Sequence, residues 1–175
     1  YFNGLVCSFN KTGEENDGFF TYQAILKPWL WVLTRRANCR IFQEKSIPDI
    51  IKEIFGDHGF SDFDLKLSGS YSQWDYCVQY RETDFNFVSR LMEQAGIYYY
   101  FTHSSSKHTL VLGDSYSAHA KVSGNAKIVY RASLDHTYEA DYIYRWSIGK
   151  QIQTGSYVMD DYDFTAPTQN LEVRS

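Results

Sequence analysis

Tyr76-Cys77-Val78-Gln79-Tyr80-Arg81-Glu82-Thr83-Asp84-Phe85-Asn86-Phe87-Val88-Ser89-Arg90-Leu91-Met92-Glu93 is the stretch in which the hydrophobic period changes. Tyr76 to Tyr80 reads as a strand, rich in ring and branched side chains. Thr83 then offers a hydroxyl to the free backbone N–H groups of a helix start, and Phe85, Val88, Leu91, Met92 and Ala95 form its inward stripe. Gly96 is placed to end that helix. Ile97 to Phe101 and Thr109 to Leu112 follow as two strands, with the polar run Thr102 to His108 as their hairpin connection. The unit is strand, helix, hairpin.

Upstream, Ser46 is the clearest helix start in the chain: it stands as N-cap, Pro48 fits the first turn, and Asp49 lies at the capping-box spacing. Ile47, Ile50, Ile51 and Ile54 then fall at i, i+3, i+4 and i+7 on one helical face. Gly56 is the residue expected to close the helix in a left-handed conformation. Before it, Phe20, Tyr22, Ala24 and Leu26 alternate along one face of a strand, Lys11 to Asp17 makes a hairpin turn, and Cys39 to Phe42 is a short strand. Pro28 interrupts the ladder between them and sets Trp29 and Trp31 close together as an anchor or a contact surface. From about Asp114 onward the pattern returns to β, with Ile128 to Arg131, Tyr142 to Ile148 and Gln151 to Asp160 lacking helical period. The expectation is an α+β, β-rich fold with two short α-helices.

The 175 residues suffice for a core without a metal or a disulfide framework. A net charge of -4, with both signs mixed along the chain, leaves no basic footprint for a phosphate backbone, which argues against nucleic acid. No stretch approaches the roughly 18 apolar residues of a spanning helix. The chain opens without Met and closes on Val173-Arg174-Ser175 without a stop pattern, so a segment of something longer is expected. Cys7, Cys39 and Cys77 show no CxxC and no even count, and are read as buried free thiols. Aromatic residues make up 18% of the chain, so many rings need partners in a core or at a contact surface. A carbohydrate platform would need Trp29, Trp31 and Trp74 exposed together.

Catalytic signatures are missing: no GxSxG elbow, no HExxH pair, no phosphate-cradling GxxxxGK[ST] loop, no GxGxxG turn and no calcium loop. Three clusters remain. His103 and His108 face each other across a hairpin mouth without a third ligand and read as solvated loop side chains, not as a metal pair. Asp160, Asp161 and Asp163 lie on a strand-like run that sends alternate carboxylates to opposite faces. Arg81, Glu82 and Asp84 at a helix mouth suit a structural ion pair better than catalysis. No cofactor, metal or catalytic residue is assigned.

The stretch quoted above resembles the VgrG spike proteins of type VI secretion, as do Pro28-Trp29-Leu30-Trp31-Val32-Leu33, Arg40-Ile41-Phe42-Gln43, Ser46-Ile47-Pro48-Asp49-Ile50-Ile51, Gly96-Ile97-Tyr98-Tyr99-Tyr100-Phe101 and His108-Thr109-Leu110-Val111-Leu112. The hub region of that family is similar to the tail hubs of contractile phages. The likeness is looser in the last sixty or so residues, where Gly155-Ser156-Tyr157 and Asp161-Tyr162-Asp163-Phe164 still resemble the family pattern. It implies a hub with barrel-like antiparallel β segments: residues 1–43 in a first barrel, 44–114 as an α/β segment, and 115–175 in a second barrel. Neck, needle and effector extension lie outside these residues, so a target membrane would be met only through the needle. It further implies a homotrimer seated on a hexameric tube of Hcp type, helping to deliver effector proteins. Such a protein is assembled in the bacterial cytoplasm and then secreted or injected. A phage or prophage baseplate hub is the alternative, and a hydrolase with an unrecognised site a more distant one. On composition, Trp29, Trp31, Tyr142, Tyr144 and Trp146 are the expected subunit contacts.

Overall fold

The computed structural model describes residues 1–14, 18–120, 127–131 and 142–175. It divides into two compact units, Tyr1–Ala120 and Lys121–Ser175.

In the first unit, strands β1 (Leu5–Glu14) and β2 (Phe20–Lys27) form an antiparallel hairpin with two register shifts; of the turn expected over Lys11 to Asp17, Lys11 to Glu14 belong to β1 and residues 15–17 lie outside the described residues. Phe20, Tyr22, Ala24 and Leu26 do share one face of β2, and Phe9 stacks on Tyr22 from β1 at 5.4 Å. That face lies open, with Val6, Phe9, Phe20, Tyr22 and Leu26 all exposed. After Pro28 the chain makes a 3-10 helix, Trp29–Arg35, where the sequence suggested an interrupted ladder. Strand β3 (Ala37–Phe42) then pairs antiparallel with β5 (Cys77–Thr83).

Both predicted α-helices are present. Helix α1 (Ile47–Asp57) is capped by the Ser46 hydroxyl, which accepts from the Asp49 amide at 3.4 Å. Its isoleucines 47, 50, 51 and 54 are buried, and Phe55 joins them. The helix does not stop at Gly56, which remains helical; Gly59 takes the left-handed conformation, with φ 74°. The Gly59 amide donates to Gly56 O at 2.8 Å and the Phe60 amide to Phe55 O at 3.0 Å, the paired bonds of a Schellman ending. Helix α2 (Asp84–Gln94) is capped by Thr83 and ends in the same way at Gly96, φ 68°, with Ile97 donating to Met92 O at 2.8 Å. Its inner face carries Asp84, Phe87, Val88, Leu91 and Met92; Phe85, expected inward, is only half-buried.

Strands β6 (Tyr98–His103) and β7 (His108–Gly113) form the predicted hairpin. A strand that the alternation left unnoticed, β4 (Phe63–Lys66), lies parallel to β7 on its other side, giving the order β4-β7-β6. A short 3-10 turn, Tyr116–Ala118, closes the unit. The core gathers Trp29, Leu30, Leu33 and Phe42 with the inner faces of α1, α2 and β7. Residues before 43 and after 44 therefore share one core.

In the second unit, β8 (Val129–Tyr130) pairs parallel with β9 (Tyr142–Ile143), and β10 (Val158–Met159) antiparallel with β11 (Val173–Arg174). The longer strands expected over 142–148 and 151–160 shrink to these two-residue ladders. Residues 132–141 lie outside the described structure, as do 121–126.

Candidate functional site

The charged residues at the mouth of α2 form a buried structural node, with partners other than those expected. The Asp84 side chain has no exposed surface. Arg36 Nε donates to its Oδ2 at 2.8 Å, Arg40 Nη2 to Oδ1 at 2.9 Å and Gln79 Nε2 to Oδ1 at 2.7 Å, while His58 Nε2 lies 2.7 Å from Oδ2. Arg40 Nε also donates to Gln79 Oε1 at 3.0 Å, and its Nη1 reaches Asp57 at 2.5 Å. Burial pushes the Asp84 carboxyl pKa up, but hydrogen bonds from Gln79, His58 and Arg36 and the charge of Arg40 outweigh it and hold it below the ordinary value. The node ties β3, β5, α1 and α2 together. Glu82 pairs with Arg90, and Arg81, at φ 53°, lays its guanidinium over the Tyr80 ring 5.2 Å from the centroid. The expected trio is thus split among a buried carboxylate node at Asp84, a separate Glu82–Arg90 ion pair and a cation–π contact.

A second anchor is Asp114, which accepts from the amides of Ser68 and Gly69 and from the hydroxyls of Ser68 and Tyr71, all between 2.6 and 2.9 Å. Those bonds, the backbone ones first, hold its carboxyl far below the usual carboxylate range. The Tyr71 phenol is pushed up to about 12, by burial first and then by Asp114. The arrangement fixes the loop between β4 and β5 to the end of β7.

His103 and His108 do meet across the β6–β7 hairpin, with ring centroids 6.0 Å apart. His103 is exposed, but His108 is buried, against the expectation of two solvated side chains, because its ring is used inside the fold. Its Nε2 accepts from the Trp29 amide at 2.8 Å and its Nδ1 lies 2.8 Å from Asn3 Oδ1. Asp160, Asp161 and Asp163 turn back on their own backbone, accepting from the amides of Asp161, Tyr162 and Thr165 respectively. Among the described residues no group of three or more metal-ligating side chains converges. Of the three thiols, only Cys77 is buried; Cys7 is partly covered and Cys39 is exposed on β3, correcting the expectation of three buried thiols.

The two tryptophans of the 29–35 turn divide their work. Trp29 is buried, stacked on Phe60 at 4.6 Å and edge-on to Phe55 at 5.0 Å, so its ring serves the chain's own core. Trp31 is half-buried and lies between Lys27 and Arg35, with cation-to-centroid distances of 4.9 and 4.4 Å. Tyr142 is half-buried, whereas Tyr144 and Trp146 are exposed. Trp146 lines an apolar hollow of about 480 Å³ with Tyr130 and Ile143. Trp74 is half-buried, its amide donating to Lys45 O at 3.0 Å. An open groove of about 540 Å³ runs along α2 and β6, lined by Phe85, Met92, Ile97 and Tyr99 among others. In each unit large rings stand at the rim of an open hollow.

Comparison with known proteins gives this arrangement its class. The model of the phage tail baseplate hub family (GPD) matches residues 1–175. The chain is 51% identical over 175 residues to the type VI secretion system spike protein VgrG1b of Pseudomonas aeruginosa, covering 100% of this chain and 24% of that protein. VgrG1a of the same organism is 48% identical over 176 residues, covering 100% of this chain and 27% of the relative. The actin cross-linking toxin VgrG1 of Vibrio cholerae is 32% identical over 169 residues, covering 97% of this chain but 15% of the toxin. A solved structure from E. coli, described as a type VI secretion component with similarity to the T4 phage tail proteins gp27 and gp5, superposes with a TM-score of 0.64. Its sequence identity is 24%, covering 73% of this chain and 35% of that one, a likeness of fold. The chain belongs to the phage tail baseplate hub family, and it spans about a quarter of the length of the Pseudomonas spike proteins it matches.

Proposed function

We propose that this chain is the hub segment of a trimeric cell-puncturing spike in a type VI secretion machine, and that its work is mechanical. The observation that carries the reading is the 51% identity, over 175 residues, to a protein named as a spike of that machine. That identity favours the secretion spike over a phage baseplate hub. The structure supports the reading through what it leaves uncovered, an aromatic hairpin face and ring-lined hollows of the kind that subunit interfaces cover.

On this reading residues 1–43 belong to the first barrel of the hub, 44–114 form an α/β segment that shares the core of Trp29, Leu30, Leu33 and Phe42, and 115–175 belong to the second barrel. Trp31, Tyr142, Tyr144 and Trp146 contact neighbouring subunits, while Trp29 acts from the core by holding the turn that presents Trp31. The assembled hub seats the spike on a hexameric Hcp-type tube and helps deliver effector proteins. Assembly takes place in the bacterial cytoplasm, before the machine secretes or injects the spike. Any enzymatic activity of a full-length parent would reside outside the hub.

The test is a chimera in which residues 1–175 replace the matching segment of P. aeruginosa VgrG1b in a strain lacking its own spikes. The expected outcome is restored release of tube protein into the medium. A chimera that is folded and abundant but releases none would refute the assignment.

A further inference from the structure

We propose that Asn3, Trp29, His103 and His108 form an acid-released latch, which ties the start of β1 and the start of the 29–35 turn to the turn end of the β6–β7 hairpin. The latch is regulatory and does not depend on the spike assignment.

The argument begins with donors and acceptors. A backbone amide only donates, so the Trp29 N–H, 2.8 Å from His108 Nε2, requires that nitrogen to carry a lone pair. The other ring nitrogen, Nδ1, lies 2.8 Å from Asn3 Oδ1 and must carry the hydrogen. The tautomer of His108 is therefore fixed, and the ring is neutral. Asn3 makes a second tie, its amide donating to His103 Nδ1 at 3.1 Å, so that nitrogen is also an acceptor. Two imidazoles whose lone pairs face backbone N–H groups form a contact that a proton breaks: a proton on either nitrogen takes the lone pair that the amide uses. A proton on His108 would also place a positive charge beside the His103 ring, whose centroid is 6.0 Å away.

The surroundings favour the neutral state of His108. Burial, and then the neighbouring His103, hold its pKa below the ordinary histidine value, while Asp62 pulls the other way. Asp62 is itself neutralised by Lys107 at 2.8 Å, and its backbone carbonyl accepts from the Trp29 indole at 3.3 Å. Phe101 presents its ring edge-on to His108 at 5.9 Å, and Phe2 lies against His103 at 6.2 Å. Asn3 meets the exposed aromatic hairpin two residues later, at Leu5, so breaking these bonds frees the base of that hairpin. A group whose folded pKa is depressed below its unfolded value withholds a proton from the fold. The stability that its neutral contact contributes is complete above the ordinary histidine value of about 6.5 and is progressively lost as the pH falls toward the depressed one.

The test is NMR on the 175-residue chain with 15N-labelled histidine, together with amide exchange. At about pH 7.5 the His108 ring should show the Nδ1–H tautomer. Protection of the Asn3 and Trp29 amides, corrected for intrinsic exchange, should fall about tenfold on acidification to about pH 5, while the Ile54 amide of α1 keeps its protection. His108→Gln, which retains an acceptor and does not titrate, should lose the acid response at Trp29. An Nε2–H tautomer in the native chain overturns the proposal without recourse to any variant. Unchanged protection at Trp29 down to about pH 5, or an equal acid response in a folded H108Q protein, overturns it too.

Discussion

Asp84 keeps its charge without any exposed side-chain surface because two arginines, a histidine and a glutamine converge on its two oxygens. Removing one partner of such a group leaves charge behind in the fold, which costs about 3–5 kcal/mol in buried sites. Arg36 still reaches solvent, so Asp84→Ala should lie at the lower end, at about 3 kcal/mol by chemical denaturation. The sign with pH follows from the lowered carboxyl pKa. The stabilisation is complete above the unfolded value of about 3.9 and is lost as pH falls through the lower folded value. An acid titration of native and Asp84→Ala chains should therefore converge at low pH. None of this gathering was legible in the sequence. The charged partners Arg36, Arg40 and His58 lie 26 to 48 residues from Asp84, only Gln79 is near at five, and local spacing pointed instead to Arg81, three residues away. His108 was misread for the same reason: loop composition suggested solvent, whereas Trp29, 79 residues earlier, covers it.

The helices were legible because their signals are local. Ser46 and Thr83 cap with their own hydroxyls, and the isoleucine stripe of α1 is buried as its period requires. Both ends close with a left-handed glycine, but only Gly96 was identified from the sequence; at α1 the helix passes through Gly56 and the bonds select Gly59. At Gly96 a new Cβ would meet open space, so the cost of Gly96→Ala is backbone strain alone, about 1–2 kcal/mol. Thermal unfolding should report that loss, and Gly56→Ala, inside the helix, should be neutral or slightly stabilising. Strand β4 was not legible, because its parallel partner β7 lies more than forty residues away and no turn joins them. The 29–35 turn falls between the two cases: Pro28 announces a break, but it is packing that turns one tryptophan inward and leaves the other at the rim.

At the scale of the molecule, the first unit has a dense core around α1, α2 and β7, and an aromatic hairpin that the core does not cover. That contrast separates stability from assembly. Trp29→Ala should cost about 3–5 kcal/mol of stability, as a buried ring lost from a packed cluster. Trp31→Ala should stay within about 1 kcal/mol of native and instead weaken association of the assembled spike. A loss of stability as large at Trp31 as at Trp29 would mean that both rings serve the core. The fold class was readable at this scale because strand and helix periods survive in any context. The surfaces were not, since a sequence rich in rings does not say which of them the fold leaves outside.

The central claim is that these residues are an assembly module whose geometry is its function. Its most direct test is the solution mass, by light scattering over a range of concentrations, of the VgrG1b chimera carrying residues 1–175. The account predicts a trimer that persists on dilution, and that dissociates more readily when Trp31, Tyr144 and Trp146 are replaced by serine. A folded chimera that remains a monomer at every concentration would contradict it.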